Sequence, residues 1–475
     1  MELSNDSTID RIASPELKKG MPMIGVRHLQ SLLAFTAIFT GYLLRVNMSV
    51  AIVAMVPVVN STDFYEEHKN HIATFDWTHK TRSYLLSSFF AGYLLGNFPA
   101  AILGCYFNNK LLLALSTTIT SLLALATPVA VSTYGSPVLF IIRFLQGLAQ
   151  AFLLPMCHGI MARWVPPNER GRLVGFVMSG IQFGTMITLI GAGYLASTSF
   201  GWPSIFYASG AIGLAWTVVW LLLGAESPQT HWFLSQKEAN YIQESLQGVS
   251  HHGSQADKVT PWKGIFTSLP VWATTAAHVG YNWGFWLLLS EMPTFISTVH
   301  GFNLREDGLL SSLPYLAMFL LQLPASYLAD FLNKRQCTTL TMSRKIWTTI
   351  SMWGGAAGLI TLGYLDDNAT FTIYLYIFVV AIGGTCNLGF NINHMDLSPN
   401  YAGLLMGITN TMASTGGLTA PLAVGYIISD PNSVNQWRVV FFLGAGVLFF
   451  ANLIYLIFGS AKTQSWNSPE KKIVS

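Results

Sequence analysis

Arg45 is the residue of this sequence that is hardest to explain without a ligand. It stands midway along an apolar run, 29–56, with hydrophobic residues on both sides. An arginine at the centre of a bilayer costs at least ~2.5 kcal/mol on insertion scales. Neither interface is close enough for the side chain to reach water by snorkelling. A watery cavity is the remaining environment, and there a guanidinium fork matches a carboxylate or phosphate with two parallel hydrogen bonds. Helical spacing places Gly41, Tyr42 and Ser49 on the same face. The alternative is an arginine tied to backbone carbonyls or to a partner across the fold. Arg143 repeats the pattern: Gln146, Gly147, Gln150 and Leu154 follow it on one face, a polar stripe that lipid would not tolerate. Its other reading is a gating or structural arginine. His278, Tyr281, Asn282 and Trp283 add donors and aromatic walls, although Trp283 is explained as well by packing. His158 and His394 read as structural histidines. Glu291 could bind a cation or pair with an arginine. The four cysteines form no CxxC pair and no His/Cys metal spacing. No nucleophile–base pair or P-loop stands out, so an enzyme is not expected.

The elements that hold these residues are membrane spans. Of the 475 residues, 52% are hydrophobic and 10% charged, with mean hydropathy +0.45. A soluble domain carries about 25% charged residues, and a chain this poor in charge could not cover a wet surface. Net charge is +3, without the basic cluster that nucleic acid requires. Twelve apolar segments are each long enough to span. They lie near 29–56, 82–104, 110–131, 137–161, 172–196, 203–224, 271–298, 308–330, 345–364, 371–391, 402–428 and 437–459. The first is too long for a signal h-region and reads as a retained helix. We expect a polar tail (1–28), a six-helix bundle (29–224), a linker (225–270), a second bundle (271–460) and a tail (461–475). Within the linker, Ser235-Gln-Lys-Glu238 is a capping box that opens a short amphipathic helix. With both termini inside, inner segments hold 18 of the 25 Lys and Arg and outer ones 5, the positive-inside pattern. Asn60 and Asn368 then open outer sequons where glycosylation can occur.

The halves repeat. Pro167, Asn168, Gly171, Gly175, Gly193 and Tyr194 match Pro399, Asn400, Gly403, Gly407, Gly425 and Tyr426, every pair 232 residues apart. Leu85-Leu-Ser-Ser88 and Pro99-Ala100 match Leu309-Leu-Ser-Ser312 and Pro324-Ala325. Same-orientation repeats of six helices imply an all-α membrane protein. Two pseudo-symmetric bundles would be related by an axis along the membrane normal, with a site between them.

Several segments resemble one family. Arg163-Trp-Val-Pro-Pro-Asn-Glu-Arg-Gly-Arg172 is similar to the helix 4–5 signature W-x-P-P-x-E-R-x-[RK] of the anion:cation symporter branch of the major facilitator superfamily. That branch holds type I sodium–phosphate cotransporters, sialin and the vesicular glutamate transporters. Tyr42 to Ser49, the Phe89–Tyr93 run with Pro99, Tyr281-Asn282-Trp283 and Leu328-Ala-Asp330 with Lys334 and Arg335 resemble further family segments. The resemblance implies the twelve-helix major facilitator fold and a binding set of Arg45, Arg143, Tyr42, Gln146, Gln150, Tyr93, Tyr281 and Asn282. It also implies latches from Glu169, Arg170, Arg172, Asp330, Lys334 and Arg335.

This sequence departs from the glutamate and sialate carriers. Gln150 and Gln146 replace acids, Leu86 replaces a histidine and Tyr281 replaces an arginine. Glutamine cannot load a proton, which points to sodium as coupling ion and to phosphate as cargo. A proton- or potential-driven organic-anion carrier is the alternative; a receptor-like member without transport is a lower one. We expect no cofactor or metal, a monomer in a lipid bilayer, and a small inorganic or organic anion as partner. Absence of an acidic dileucine signal points to the plasma membrane.

Overall fold

The computed structural model describes residues 25–55, 74–77, 79–246, 260–300, 308–365, 369–430 and 433–467. Asn60 and Asn368 lie outside the described residues.

Among the described residues, twelve spanning helices form the body of the fold. The first six are α1 (Val26–Met55), α2 (His79–Tyr106), α3 (Asn109–Tyr134), α4 (Ser136–Gln150 and Leu153–Trp164), α5 (Arg170–Met178 and Gly180–Ala196) and α6 (Gly201–Leu223). After the linker come α7 (Leu269–His300), α8 (Gly308–Lys334), α9 (Leu340–Leu362), α10 (Ala369–Gly383 and Phe390–Leu397), α11 (Ala402–Ile427) and α12 (Val434–Phe458). Nine of these twelve are long and apolar enough to cross a bilayer by composition alone, counted over the described residues. The broken helices have local causes. Pro155 has no N–H to offer the carbonyl of Ala151, and α4 is interrupted at Ala151–Phe152. α10 tightens into a 3₁₀ turn over Gly384–Leu388 before resuming and ends at Leu397, well beyond the limit near 391 read from hydropathy.

The two halves meet along α2 against α11 and α5 against α8. The repeated glycines explain how close these helices come. A side chain at Gly407 would run into Ala101, and one at Gly171 into the Asp330 carboxylate. Contacts this close need a residue with no Cβ. One apolar core joins α1, α4 and α5 to Ala329, Ile392 and Met406 of the second half; a separate core fills the second half around Trp283, Phe295 and Trp437. Trp283 is therefore a packing residue.

The linker helix Gln236–Leu246 lies where α1 begins and α12 ends, a side called here the terminal face. The expected capping box is half formed. Ser235 Oγ accepts from the Glu238 N–H at 3.3 Å. The Glu238 carboxylate does not turn back to Ser235. It accepts instead from the backbone N–H groups of Val26 (2.9 Å) and Arg27 (3.1 Å) and from the Arg27 guanidinium (2.9 Å). A carboxylate at a helix N-terminus satisfies orphan donors and meets the positive end of the dipole. Tertiary contact thus outcompetes the local cap.

Candidate functional site

A central cavity lies between the halves. Side chains of α1, α2, α4 and α5 line it from one half, and those of α7, α8, α10 and α11 from the other. α3, α6, α9 and α12 contribute none of these lining residues.

Arg45 points into this cavity. It is partly buried, and among the described residues no carboxylate pairs with it. Aromatic rings surround the guanidinium: Tyr93 at 4.6 Å from the ring centre, Phe89 and Phe90 at 5.0 Å, Tyr42 at 5.5 Å and Trp286 at 5.7 Å. Ring faces attract a cation but leave its N–H donors unused, so the fork stays available to an anion. Tyr42, Tyr93, Tyr281 and Asn282 also line the cavity. The Tyr93 hydroxyl accepts from Asn410 Nδ2 of α11 at 2.8 Å, and the same amide donates to Asn97 at 2.7 Å. The Tyr93 O–H is left to donate towards the cavity.

The α4 stripe is placed differently. Arg143, Gln146 and Gln150 are buried in the wall behind α1 and are not among the cavity-lining residues. Arg143 donates to Gln146 Oε1 at 3.1 Å and to the carbonyl of Arg45 at 3.2 Å, and lies 4.7 Å from the Phe89 ring. Gln150 donates to the carbonyl of Gly41 at 2.9 Å and Gln146 to that of Thr120 at 3.5 Å. Arg143 and Gln150 thus hold α1 in place, and Gln146 ties α4 to α3. Periodicity grouped them with Arg45 because it reports which face of α4 is polar, not what that face meets.

Sequence reasoning missed part of the lining. Asn387 and Asn391 reach the cavity from beside the α10 break, Asn410 from α11 and Trp286 from α7. The polar run Asn387, Asn391, Asn393, His394 inside an apolar segment was the available signal.

At the terminal face the charges of the helix 4–5 signature join the halves. Arg170 donates to Asp396 at 2.9 Å and to the Met395 carbonyl at 3.2 Å. Arg344 bonds the other oxygen of Asp396 at 2.8 Å. Asp330 accepts from the backbone N–H of Arg172 at 2.6 Å. Glu169 bonds Arg27 at 2.8 Å and lies 3.9 Å from the exposed Arg172. Tyr241 of the linker helix donates to Glu169 at 3.5 Å; burial, then the Glu169 charge, pushes this phenol up to about 12. Lys334 and Arg335 stand exposed beyond the latch, Arg335 over the Phe331 ring at 4.7 Å. Asp396, the partner that Arg170 and Arg344 share, was not anticipated.

Comparison with known proteins agrees with this arrangement. The family model for the Major Facilitator Superfamily matches residues 31–421. A Drosophila ananassae protein named "Putative inorganic phosphate cotransporter" is 39% identical, over 92% of this chain and 93% of that one. Human sialin is 32% identical, over 98% of this chain and 95% of its own. Human vesicular glutamate transporter 2 is 33% identical, over 95% of this chain and 76% of its own. Among solved structures, the proton:xylose symporter XylE superposes with a TM-score of 0.65 over 92% of this chain and 98% of its own, at 17% identity, a likeness of fold. A cavity between two six-helix halves, an inward-pointing arginine with no carboxylate partner among the described residues and relatives matched along their length place the chain in the anion:cation symporter branch of the major facilitator superfamily.

Proposed function

We infer that this transporter carries a small anion by alternating access, with Arg45 as the contact for negative charge. The observation that carries the reading is the Arg45 guanidinium, open to the central cavity and without a carboxylate partner among the described residues. A cation left in that state inside a membrane protein is stabilised by water in one half of a cycle and by a negative cargo in the other. The latch of Arg170, Asp396, Arg344 and Asp330 is formed, so the cavity is closed towards the terminal face. Rocking of the halves would break that latch and expose the cargo there. The positive-inside pattern supports a cytoplasmic terminal face, and the plasma membrane is the proposed location.

Sodium-driven inorganic phosphate transport is the first reading of cargo and coupling. Gln146 and Gln150 stand where a proton-coupled carrier would need acids, and their amides are engaged by backbone carbonyls. The phosphate-cotransporter name of a 39% identical relative points the same way. One observation favours a second reading: the walls around Arg45 are Tyr42, Phe90, Tyr93, Tyr281, Phe285 and Trp286. Phosphate has no apolar surface for these rings, whereas an organic monoanion has. Uptake by the purified protein in liposomes decides between them. Labelled phosphate, sialate, glutamate and urate would be offered under separate sodium, proton and voltage gradients. Sodium-dependent phosphate accumulation supports the first reading; accumulation of an organic anion indifferent to sodium supports the second.

A further inference from the structure

The chain that follows α12 folds back onto the terminal face. Residues 459–467, called here the strap, begin on α9 and α10: Thr341 Oγ1 accepts from the Ala461 N–H at 3.0 Å, and Asn393 Nδ2 donates to the Ser460 carbonyl at 3.0 Å. The strap then reaches the corner between α10 and α11. The last four carbonyls of a helix have no partner within it, and at the end of α10 each finds one elsewhere. That of His394 accepts from the Ser398 N–H at 3.3 Å. That of Met395 accepts from the Arg170 guanidinium of the other half at 3.2 Å. The remaining two belong to the strap. Thr463 Oγ1 donates to the Asp396 carbonyl at 3.2 Å, and the Gln464 N–H to that of Leu397 at 2.9 Å. Past the corner, Asn467 Oδ1 accepts from Ser398 Oγ at 2.7 Å and from the Asn400 N–H at 3.2 Å. The Asn467 carbonyl accepts from Asn400 Nδ2 at 2.9 Å. Asn467 is only 2% exposed. Beside it Trp466 fills the space left by the missing side chain of Gly264 and packs in one apolar cluster with Tyr401, Leu404 and Ala101 of α2.

A segment anchored for stability alone could bond any surface. This one bonds residues 396, 397, 398 and 400, the stretch that carries and follows the latch carboxylate of Asp396. We propose that Thr463 and Asn467 are positioning residues of the latch, acting through Asp396. The strap fixes the backbone at the end of α10, and that backbone aims the Asp396 carboxylate at Arg170 across the seam. Hydrogen bonds weaken steeply with distance and angle, so a loosened corner weakens the contact between the halves. The strap thereby sets how readily the terminal face opens, from outside the cavity and without touching the cargo. This inference rests on the alternating-access reading and not on the identity of the cargo or of the driving ion.

The test needs no substrate. Spin labels on Gln236→Cys and on the native, exposed Cys337 report the separation of the halves in the full-length protein, with Cys105→Ser as background. Asn467→Ala removes two side-chain bonds to the corner and should raise the open-to-closed ratio roughly 10-fold. Thr463→Val, nearly the same in shape, should raise it about 3-fold. Asn467→Asp keeps the accepting oxygen and should stay closer to the wild type than Asn467→Ala does. Thr341→Val frees the strap from α9 without touching the corner and should leave the ratio unchanged. Hydrogen exchange at residues 397–401 should quicken in Asn467→Ala and Thr463→Val alone. An unmoved ratio in both of these variants, no rescue by Asn467→Asp, or an equal opening in Thr341→Val would each overturn the assignment. Asp396→Asn separates the two readings. If it opens the terminal face and Asn467→Ala does not, the strap role falls alone; if neither opens it, the latch of the alternating-access reading falls as well.

Discussion

Arg143 donates to the backbone carbonyl of Arg45 across 3.2 Å, so the buried cation of α4 holds the segment of α1 that aims the cavity cation. Both arginines are in apolar spans, yet only Arg45 lines the cavity. Arg143→Met keeps the volume and removes a buried charge, which is often neutral for stability. Anion uptake should nevertheless fall roughly 10- to 100-fold through misplacement of Arg45, with little change in melting temperature. Unchanged uptake would remove the positioning role.

Asp396 is shared by Arg170 and Arg344, and all three side chains are at most 2% exposed. Asp396→Asn leaves two buried guanidinium groups without a counter-charge. Loss of one member of such a network costs about 3–5 kcal/mol. Thermal unfolding in detergent should show that loss, and spin labels on the terminal face should report a larger open fraction. A variant as stable and as closed as wild type would show that the latch does not depend on this carboxylate.

Glu238 joins the linker helix to the start of α1 through two backbone N–H groups and Arg27. Glu238→Ala removes all three bonds and should destabilise the protein by about 1–3 kcal/mol. Protease sensitivity of the linker would rise with it. A linker equally resistant in the variant would argue that packing of Tyr241 and Ile242 holds the helix unaided.

His231 gives a pH dependence outside the spans. It follows α6, packs against Trp164 and Phe233, and lies beside the Leu223 carbonyl. Burial lowers its pKa from 6.5. A histidine held neutral contributes stability above its unfolded pKa, and that contribution is lost as pH falls towards the folded value. Stability should therefore decline below about pH 6.5. In His231→Phe, which keeps the ring contacts, the decline should be shallower. Identical pH profiles for the two proteins would remove His231 from this role.

Hydropathy and the 232-residue repeat made the twelve spans and their pairing legible, because span length and close glycine contacts are written locally. Arg45, Tyr42, Tyr93, Tyr281 and Asn282 were legible as cavity residues for a similar reason: polar groups inside a span need a compensating environment. The break in α10 was not, since a 3₁₀ turn at Gly384–Leu388 leaves hydropathy unchanged. Nor was the packing of the α4 stripe. Gln150 bonds Gly41 and Arg143 bonds Arg45, contacts that depend on how α4 packs on α1. Glu238 shows the same limit, because its capping partner is 212 residues away from it.

Uptake by Arg45→Gln is the most direct trial of the account. Glutamine retains polarity and hydrogen bonding and loses only the charge. In liposomes where the wild type accumulates a labelled anion, correctly folded Arg45→Gln should carry it at least about 100-fold more slowly, as for removal of a charged contact. Arg45→Lys should restore part of the rate, since it returns the charge without the fork. Uptake by Arg45→Gln close to the wild-type rate would contradict the claim that this guanidinium receives the anion.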